Sequence, residues 1–288
     1  FYMLHSRLNI IDINKRSNQP YVFKDHAIIF NGEIYNYLEL KKDLKRKGVK
    51  FSTNSDTEVL LKSYLFYGLK FLQKLEGMWS FVILNRKNDQ VLMSRDRFGE
   101  KPLFYSFEKN ELYFGSEIKF IKSLSNKKFK IDDNHLFKYL FLGYRSINKN
   151  YDTYFKKIKE FPKSSYLILN KNLKLNFKKY WYLKYKPRKI LLKTAIKKTN
   201  ELLKNSIKMR IRSDVPIAFS LSGGIDSNVL AGITKKKLNK KIKCFSIIDK
   251  DQRYNEQKNI RITKNFLKCS IKEIKPPKND SLKKLEKL

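Results

Sequence analysis

Cysteine is nearly absent from this 288-residue chain: only Cys244 and Cys269 occur, too few for a disulfide framework and unlike any metal-ligand cluster. Histidine is scarce as well, and His5, His26 and His135 have no neighbours that suggest a triad or a metal site. No apolar run approaches the twenty residues of a membrane span, and the start lacks a secretory pattern, so a reducing cytoplasm is the expected setting. Acidic residues are in short supply: 27 Asp and Glu face 64 Lys and Arg, a net charge of +37. Such an excess fits a polyanion partner or an Ile/Asn/Lys-rich proteome. The lysines run from Lys15 to Lys287, mixed with Asn and Ile and not gathered in one arm. They read as composition, with nonspecific nucleic-acid binding at low salt as a side effect. The chain opens on Phe1, which points to a segment of a longer reading frame.

What is present is core material, with 41% hydrophobic and 14% aromatic residues. The stretches AIIFNGEIYNY, GMWSFVILN, QVLMSRDR, PLFYSF and ELYFGS read as short strands separated by turn signals. Helices are expected over 37–47 and 57–67, the second introduced by Ser55 and Glu58 at capping-box spacing. The part from 143 to 190 holds two β-rich runs and a turn at Asn170-Lys171-Asn172. After Pro187 the pattern changes: a helix over 191–211, a strand ending in a glycine turn, a helix over 227–238, the strand IKCFSII, and a third helical stretch over 255–267. Strand–helix alternation predicts a parallel sheet. The expected division is therefore 1–145, a connecting segment 146–190, and 191–288.

The run Ser222-Gly223-Gly224-Ile225-Asp226-Ser227 stands between a strand and a helix. Successive N–H groups backed by a helix start form a cradle for phosphate, and the two glycines allow close approach. The loop lacks the Gly-Lys-Ser/Thr ending of a Walker loop and matches neither the dinucleotide fingerprint nor the nucleophile elbow. It resembles the PP-loop of the ATP pyrophosphatases, which implies ATP cleaved between its α and β phosphates. Backbone N–H and hydroxyl groups hold the departing pyrophosphate there, so no loop lysine is needed. Asp226 reads either as a group near Mg²⁺ or as a first-turn acid favoured by the helix dipole.

Further motifs occur in order: LHSRLNIID, FNGEIYNY, NSDTEVLL, GMWSFVIL, SRDRFGEKPLFY and FGSEIKFI. Together with the glycine loop they resemble glutamine-hydrolysing asparagine synthetase, with its class II glutamine amidotransferase domain, over about 4–270. The resemblance implies an α+β N-terminal-nucleophile-type glutaminase domain, an αββα sandwich, followed by an α/β parallel-sheet PP-loop domain. It implies Asn31 and Gly32 as oxyanion donors, although Asn-Gly taken by itself reads as a hairpin turn. Arg7 would grip the glutamine α-carboxylate through paired hydrogen bonds that lysine cannot copy. Asp56, with Glu33, would take the α-ammonium, Asp56 also being placed to cap a helix. Leu221 and Ile247 would hold the adenine, beside Ser222, Gly223, Gly224, Asp226 and Ser227 on the phosphates. Arg95 and Asp96 read as a structural ion pair.

The implied reaction makes asparagine, glutamate, AMP and pyrophosphate from glutamine, aspartate and ATP with Mg²⁺, ammonia passing internally from one domain to the other. The family's nucleophile is an N-terminal cysteine about forty residues ahead of the Arg motif. The family's later Ser-Gly-x-Gly-x-Asp-Glu segment follows the PP-loop. Neither lies in these 288 residues, so this stretch by itself is expected to be inactive. The family's Pro-Pro-Gly-His run is replaced by Phe161-Pro162-Lys163-Ser164-Ser165, which bears on the local turn. Rival readings are an amidotransferase for another carboxylate such as a sugar uronic acid, a nucleic-acid-binding or tRNA-modifying PP-loop protein, and a noncatalytic remnant. No membrane partner is expected, and homodimerisation is left open.

Overall fold

The computed structural model describes residues 1–143, 151–171, 174–249, 251, 253 and 255–275. It divides into two compact units, Phe1–Lys186 and Pro187–Leu288. The first begins with β1 (Tyr21–Phe23), β2 (His26–Ile34), α1 (Tyr37–Arg46), α2 (Asp56–Tyr67) and α3 (Phe71–Lys74). There follow β3 (Gly77–Asn85), β4 (Gln90–Arg95), β5 (Phe104–Glu108), β6 (Glu111–Gly115), α4 (Ile118–Ser125) and α5 (Asp133–Leu142). It ends with β7 (Lys159–Glu160), β8 (Ser165–Leu169) and β9 (Phe177–Lys179). The strands form two antiparallel sheets, ordered β1-β2-β3-β4-β8-β9 and β6-β5-β7.

Strand alternation explains the layering. Phe81 and Ile83 of β3 join Ile28, Phe30 and Leu92 on one face, packed against Leu40, Leu60, Leu61 and Phe71 of the helices. Val82 and Leu84 point the other way and join Val91, Met93, Leu167 and Leu169, against which Tyr105, Leu112 and Phe114 of the smaller sheet pack. Helix α4 lies on β5 and β6. The order is helix, sheet, sheet, helix. Because β3 is covered on both faces, it reads in sequence as a nearly unbroken apolar run.

The start of α2 departs from a capping box. Ser55 accepts the N–H of Glu58 at 3.2 Å as an N-cap should. The Glu58 carboxylate instead accepts N–H bonds from Ser52 (2.9 Å) and Thr53 (2.6 Å) and ion-pairs with buried Lys62 at 2.6 Å. The Lys62 ammonium also bonds the Lys50 carbonyl and lies over the rings of Phe23 and Phe51. Burial opposes ionisation of Glu58, but Lys62 and the N–H groups of Ser52 and Thr53 outweigh it and hold its pKa below the usual value.

Two expectations are corrected. Residues 151–186, expected to connect two domains, belong to the first unit: β8 extends the large sheet beside β4, β9 follows it, and β7 pairs with β5. Arg95 and Asp96 do not pair with each other. Asp96 lies just past the end of β4, and the two side chains take separate partners. Arg95 instead bonds Glu160 (2.8 Å) and the carbonyls of Gly99, Lys101 and Phe161. Asp96 accepts the N–H groups of Trp79, Phe98, Glu100 and Lys101. The run that departs from Pro-Pro-Gly-His folds back on this loop: Ser164, at φ +49°, donates its N–H to the Asp96 carbonyl at 2.8 Å and accepts that of Tyr180. Asn172, in the expected turn, lies outside the described residues.

The second unit contains α6 (Leu192–Arg210), β10 (Ala218–Ser220), α7 (Ile225–Gly232), β11 (Lys243–Ile247), α8 (Gln257–Leu267) and β12 (Ile271–Ile274). Its three strands are parallel, in the order β10-β11-β12. The stretch expected to be helical over 227–238 divides into α7, which starts two residues earlier, and a π-turn segment Ile233–Lys237. Strand β12 follows α8 and was not expected from the sequence. Cys244 and Cys269 are free thiols that contact each other, and burial pushes the Cys244 thiol up to about 12. Among the described residues no helix is long and apolar enough to cross a membrane.

Two stability changes are expected in urea titrations. Lys62→Met leaves the Glu58 carboxylate buried without its cation and costs about 3 kcal/mol. Ser164→Gly relieves a left-handed serine and gains about 0.5–1 kcal/mol.

Candidate active site

The sequence-predicted residues of the first unit share one cavity of about 1230 Å³, whose lining includes Arg7, Asn31, Gly32, Glu33 and Asp56. Asn31-Gly32 is not a hairpin turn. Both lie within β2, opposite Ser80 and Trp79 of β3. A Cβ on Gly32 would stand 2.1 Å from the Met78 carbonyl oxygen, so only glycine lets the strands meet there.

Strand β1 pairs with β2 only as far as Ile28, which leaves the edge from residue 29 onward for other groups. Gln19 accepts the Phe30 N–H and His5 Nε2 donates to the Phe30 carbonyl at 3.1 Å. Asp56 accepts the Ile34 N–H at 3.1 Å. Backbone polar groups two residues apart in a strand point to the same edge, so the N–H of Gly32 is directed between those of Phe30 and Ile34. The Arg7 guanidinium is fixed by the carbonyls of Ile11 (2.6 Å), Asp12 (2.7 Å) and Asn14 (3.4 Å).

The electrostatics of the two carboxylates are unbalanced. Asp56, 6% exposed at the first position of α2, is pushed up to about 7 by burial and by the neighbouring Glu33, against the N–H groups of Ile34 and Thr57. Glu33 is raised by burial and drawn back by Lys101. A cation arriving between them would lower both. Burial likewise lowers the pKa of His5, and because its Nε2 donates to a carbonyl, its Nδ1 is the lone-pair nitrogen. Gln19, His5 and Lys101 were not singled out from the sequence as site residues, because their roles depend on which strand edge they reach.

In the second unit the glycine loop follows β10, and the helix behind it begins at Ile225. Ser222 N–H donates to Ser227 Oγ at 3.2 Å, the two hydroxyls are 3.0 Å apart, and Gly224 N–H donates to Ser222 Oγ at 3.2 Å. Asn228 ties the turn from within, donating to the Gly224 carbonyl at 2.7 Å, and Thr263 of α8 donates to Asn228 Oδ1 at 2.7 Å. Gly223 N–H donates to Glu256 Oε2 at 2.9 Å. Asp226 is exposed in the first turn of α7. The loop and Ile247, 65% exposed, lie at the carboxyl end of the parallel strands, where open α/β sheets bind ligands. Leu221 is 2% exposed and its side chain packs with Ala231, Ile242, Cys244 and Leu267. Asn228, Glu256 and Thr263 are additions that the sequence did not single out.

Comparison with known proteins covers both units. The family profile described as "Glutamine amidotransferase domain" matches residues 1–181, and that described as "Asparagine synthase" matches residues 198–288. Asparagine synthetase (glutamine-hydrolyzing) 1 of Bacillus subtilis is 38% identical over 253 residues, covering 87% of this chain and 39% of the relative. Putative asparagine synthetase (glutamine-hydrolyzing) 2 of Methanocaldococcus jannaschii is 33% identical over 285 residues, covering 92% and 54%. Amidase chry2 of Gibberella zeae is 29% identical over 304 residues, covering 94% and 42%. The chain thus spans about half or less of the length of these relatives.

The raised pKa of Asp56 gives a pH-dependent expectation. Ionisation of a group whose folded pKa lies above its ordinary 3.8 costs stability as pH rises from there to about 7. Asp56→Asn removes that cost, so it is expected to gain about 4 kcal/mol in urea unfolding at pH 8 and close to nothing at pH 4.

Proposed function

Because this chain belongs to the glutamine amidotransferase family, we propose that its first unit releases ammonia from glutamine and its second consumes that ammonia in an ATP-dependent amidation of aspartate. The single observation that carries the reading is the convergence of Arg7, Asn31, Gly32, Glu33 and Asp56 on one cavity. The finer fold assignment goes with it: the four-layer first unit is an N-terminal-nucleophile αββα sandwich, and the second unit is a PP-loop domain.

In this reading, the Arg7 guanidinium, held by three carbonyls, meets the glutamine α-carboxylate. Asp56 and Glu33 meet the α-ammonium, and Asp56 gives up its proton as the cation arrives. The Gly32 N–H on the free edge of β2 and the Asn31 amide, which lines the same cavity, would be the donors for a tetrahedral oxyanion. The nucleophile is the family's cysteine. The first unit holds none, since Cys244 and Cys269 both lie in the second.

In the second unit the donor set suits polyphosphate: the N–H groups of the glycine turn, the hydroxyls of Ser222 and Ser227, and a helix start behind them. ATP supplies adenylation of the acceptor, leaving pyrophosphate. Asp226 offers an exposed carboxylate to Mg²⁺, and Ile247 offers an apolar face to the adenine. Leu221 contributes through its backbone position, its side chain being in the core. The reaction balances as glutamine, water, aspartate and ATP giving glutamate, asparagine, AMP and pyrophosphate, a carbon–nitrogen ligase reaction of amino-acid biosynthesis set in the cytoplasm.

The test uses the full-length protein with glutamine, Mg·ATP and either aspartate or a sugar uronic acid. AMP and pyrophosphate formed with aspartate are expected; ADP as product, or a preference for the uronic acid, would overturn the assignment. Asn31→Ala is expected to lower glutamine-dependent turnover about 10²–10³-fold while leaving synthesis from ammonium salts intact.

A further inference from the structure

The glycine loop faces a negative group of the protein's own. Of the three N–H groups in the turn, those of Ser222 and Gly224 are engaged within the loop by Ser227 Oγ and Ser222 Oγ. That of Gly223 leaves the loop and meets the carboxylate of Glu256, 33 residues further along the chain, at 2.9 Å. The contact is built by packing. Glu256 immediately precedes α8, and Thr263 of the same helix is bonded to Asn228 of α7. A Cβ on Gly223 would stand 2.9 Å from Glu256 Cβ and 3.1 Å from Asn259 Nδ2, so the missing side chain is what lets the loop and the start of α8 approach.

We propose that Glu256 is a resident stand-in for phosphate: its carboxylate occupies the Gly223 donor in the nucleotide-free loop and is displaced when pyrophosphate or the nucleotide binds. The proposal rests on the reading of Ser222–Ser227 as a pyrophosphate loop. One N–H cannot serve two anions, and two negative groups at that separation repel, so Glu256 weakens every anion that takes the Gly223 donor. The device has a use in a chain of net charge +37, which draws polyanions indiscriminately. A ligand with several phosphate oxygens can displace the carboxylate by engaging the rest of the cradle. Orthophosphate has fewer contacts with which to do so.

The test is calorimetric titration of the full-length protein with inorganic pyrophosphate in the presence of EDTA. Glu256→Gln keeps the shape and an acceptor oxygen but removes the charge. Glu201→Gln, on the exposed face of α6, makes the same change in net charge elsewhere. Glu256→Gln is expected to bind pyrophosphate about tenfold more tightly than wild type, with Glu201→Gln within about twofold of wild type. Equal or weaker binding by Glu256→Gln, or an equal gain in Glu201→Gln, would overturn the proposal. If neither wild type nor variants bind pyrophosphate, nor Mg·ATP in a parallel titration without EDTA, the pyrophosphate-loop reading fails, and the proposal with it.

Discussion

Two glycines fix how the strands at the centre of the first unit meet. A Cβ on Gly32 would lie 2.1 Å from the Met78 carbonyl oxygen, and one on Gly77 would lie 2.2 Å from that of Glu33. Each strand therefore supplies the gap that the other's backbone enters. A one-residue slip would bring side chains into both gaps and turn every core residue of β2 to the wrong face. With the register held, the free edge of β2 presents its N–H groups in sequence to Gln19 and Asp56, with Gly32 between them. The cavity residues are placed by this pairing and not by any turn at Asn31.

Two acids in the first turn of α2 show how partners and not position set charge. Asp56 and Glu58 share the favourable end of the same helix dipole. Glu58 has Lys62 and the N–H groups of Ser52 and Thr53, and its pKa is held down. Asp56 has two N–H groups and the repulsion of Glu33, and its pKa is pushed up. The first is closed and structural. The second is left short of a cation at the wall of a cavity, which is the condition of a site that takes its counter-charge from outside. In the second unit the imbalance has the opposite sign: the loop N–H groups offer positive potential, and Glu256 answers it from within the chain.

The fold was legible where one physical demand shaped each stretch. β3 came out residue for residue as Gly77–Asn85 because a strand buried on both faces leaves an unbroken apolar signature. The Ser55 cap and the helix after it came from local hydrogen bonding. The segment 151–186 misled because its strands are short and interrupted, and their sheet partners β4 and β5 lie far back in sequence. The Arg95–Asp96 ion pair failed because each side chain is satisfied by groups that adjacency does not reveal: Glu160 and backbone carbonyls for Arg95, backbone N–H groups for Asp96.

The sequence by itself determined the loop between strand and helix, the parallel unit after Pro187, the cap of α2 and the set of residues that resemble a glutamine site, because each is written in types at short spacing. Only the tertiary structure decided that Asn31-Gly32 is strand and not turn, that Arg7 is pinned by three carbonyls, that Leu221 is core, and that Glu256 reaches Gly223. Those outcomes depend on strand register and on contacts tens of residues apart, which local pattern does not encode.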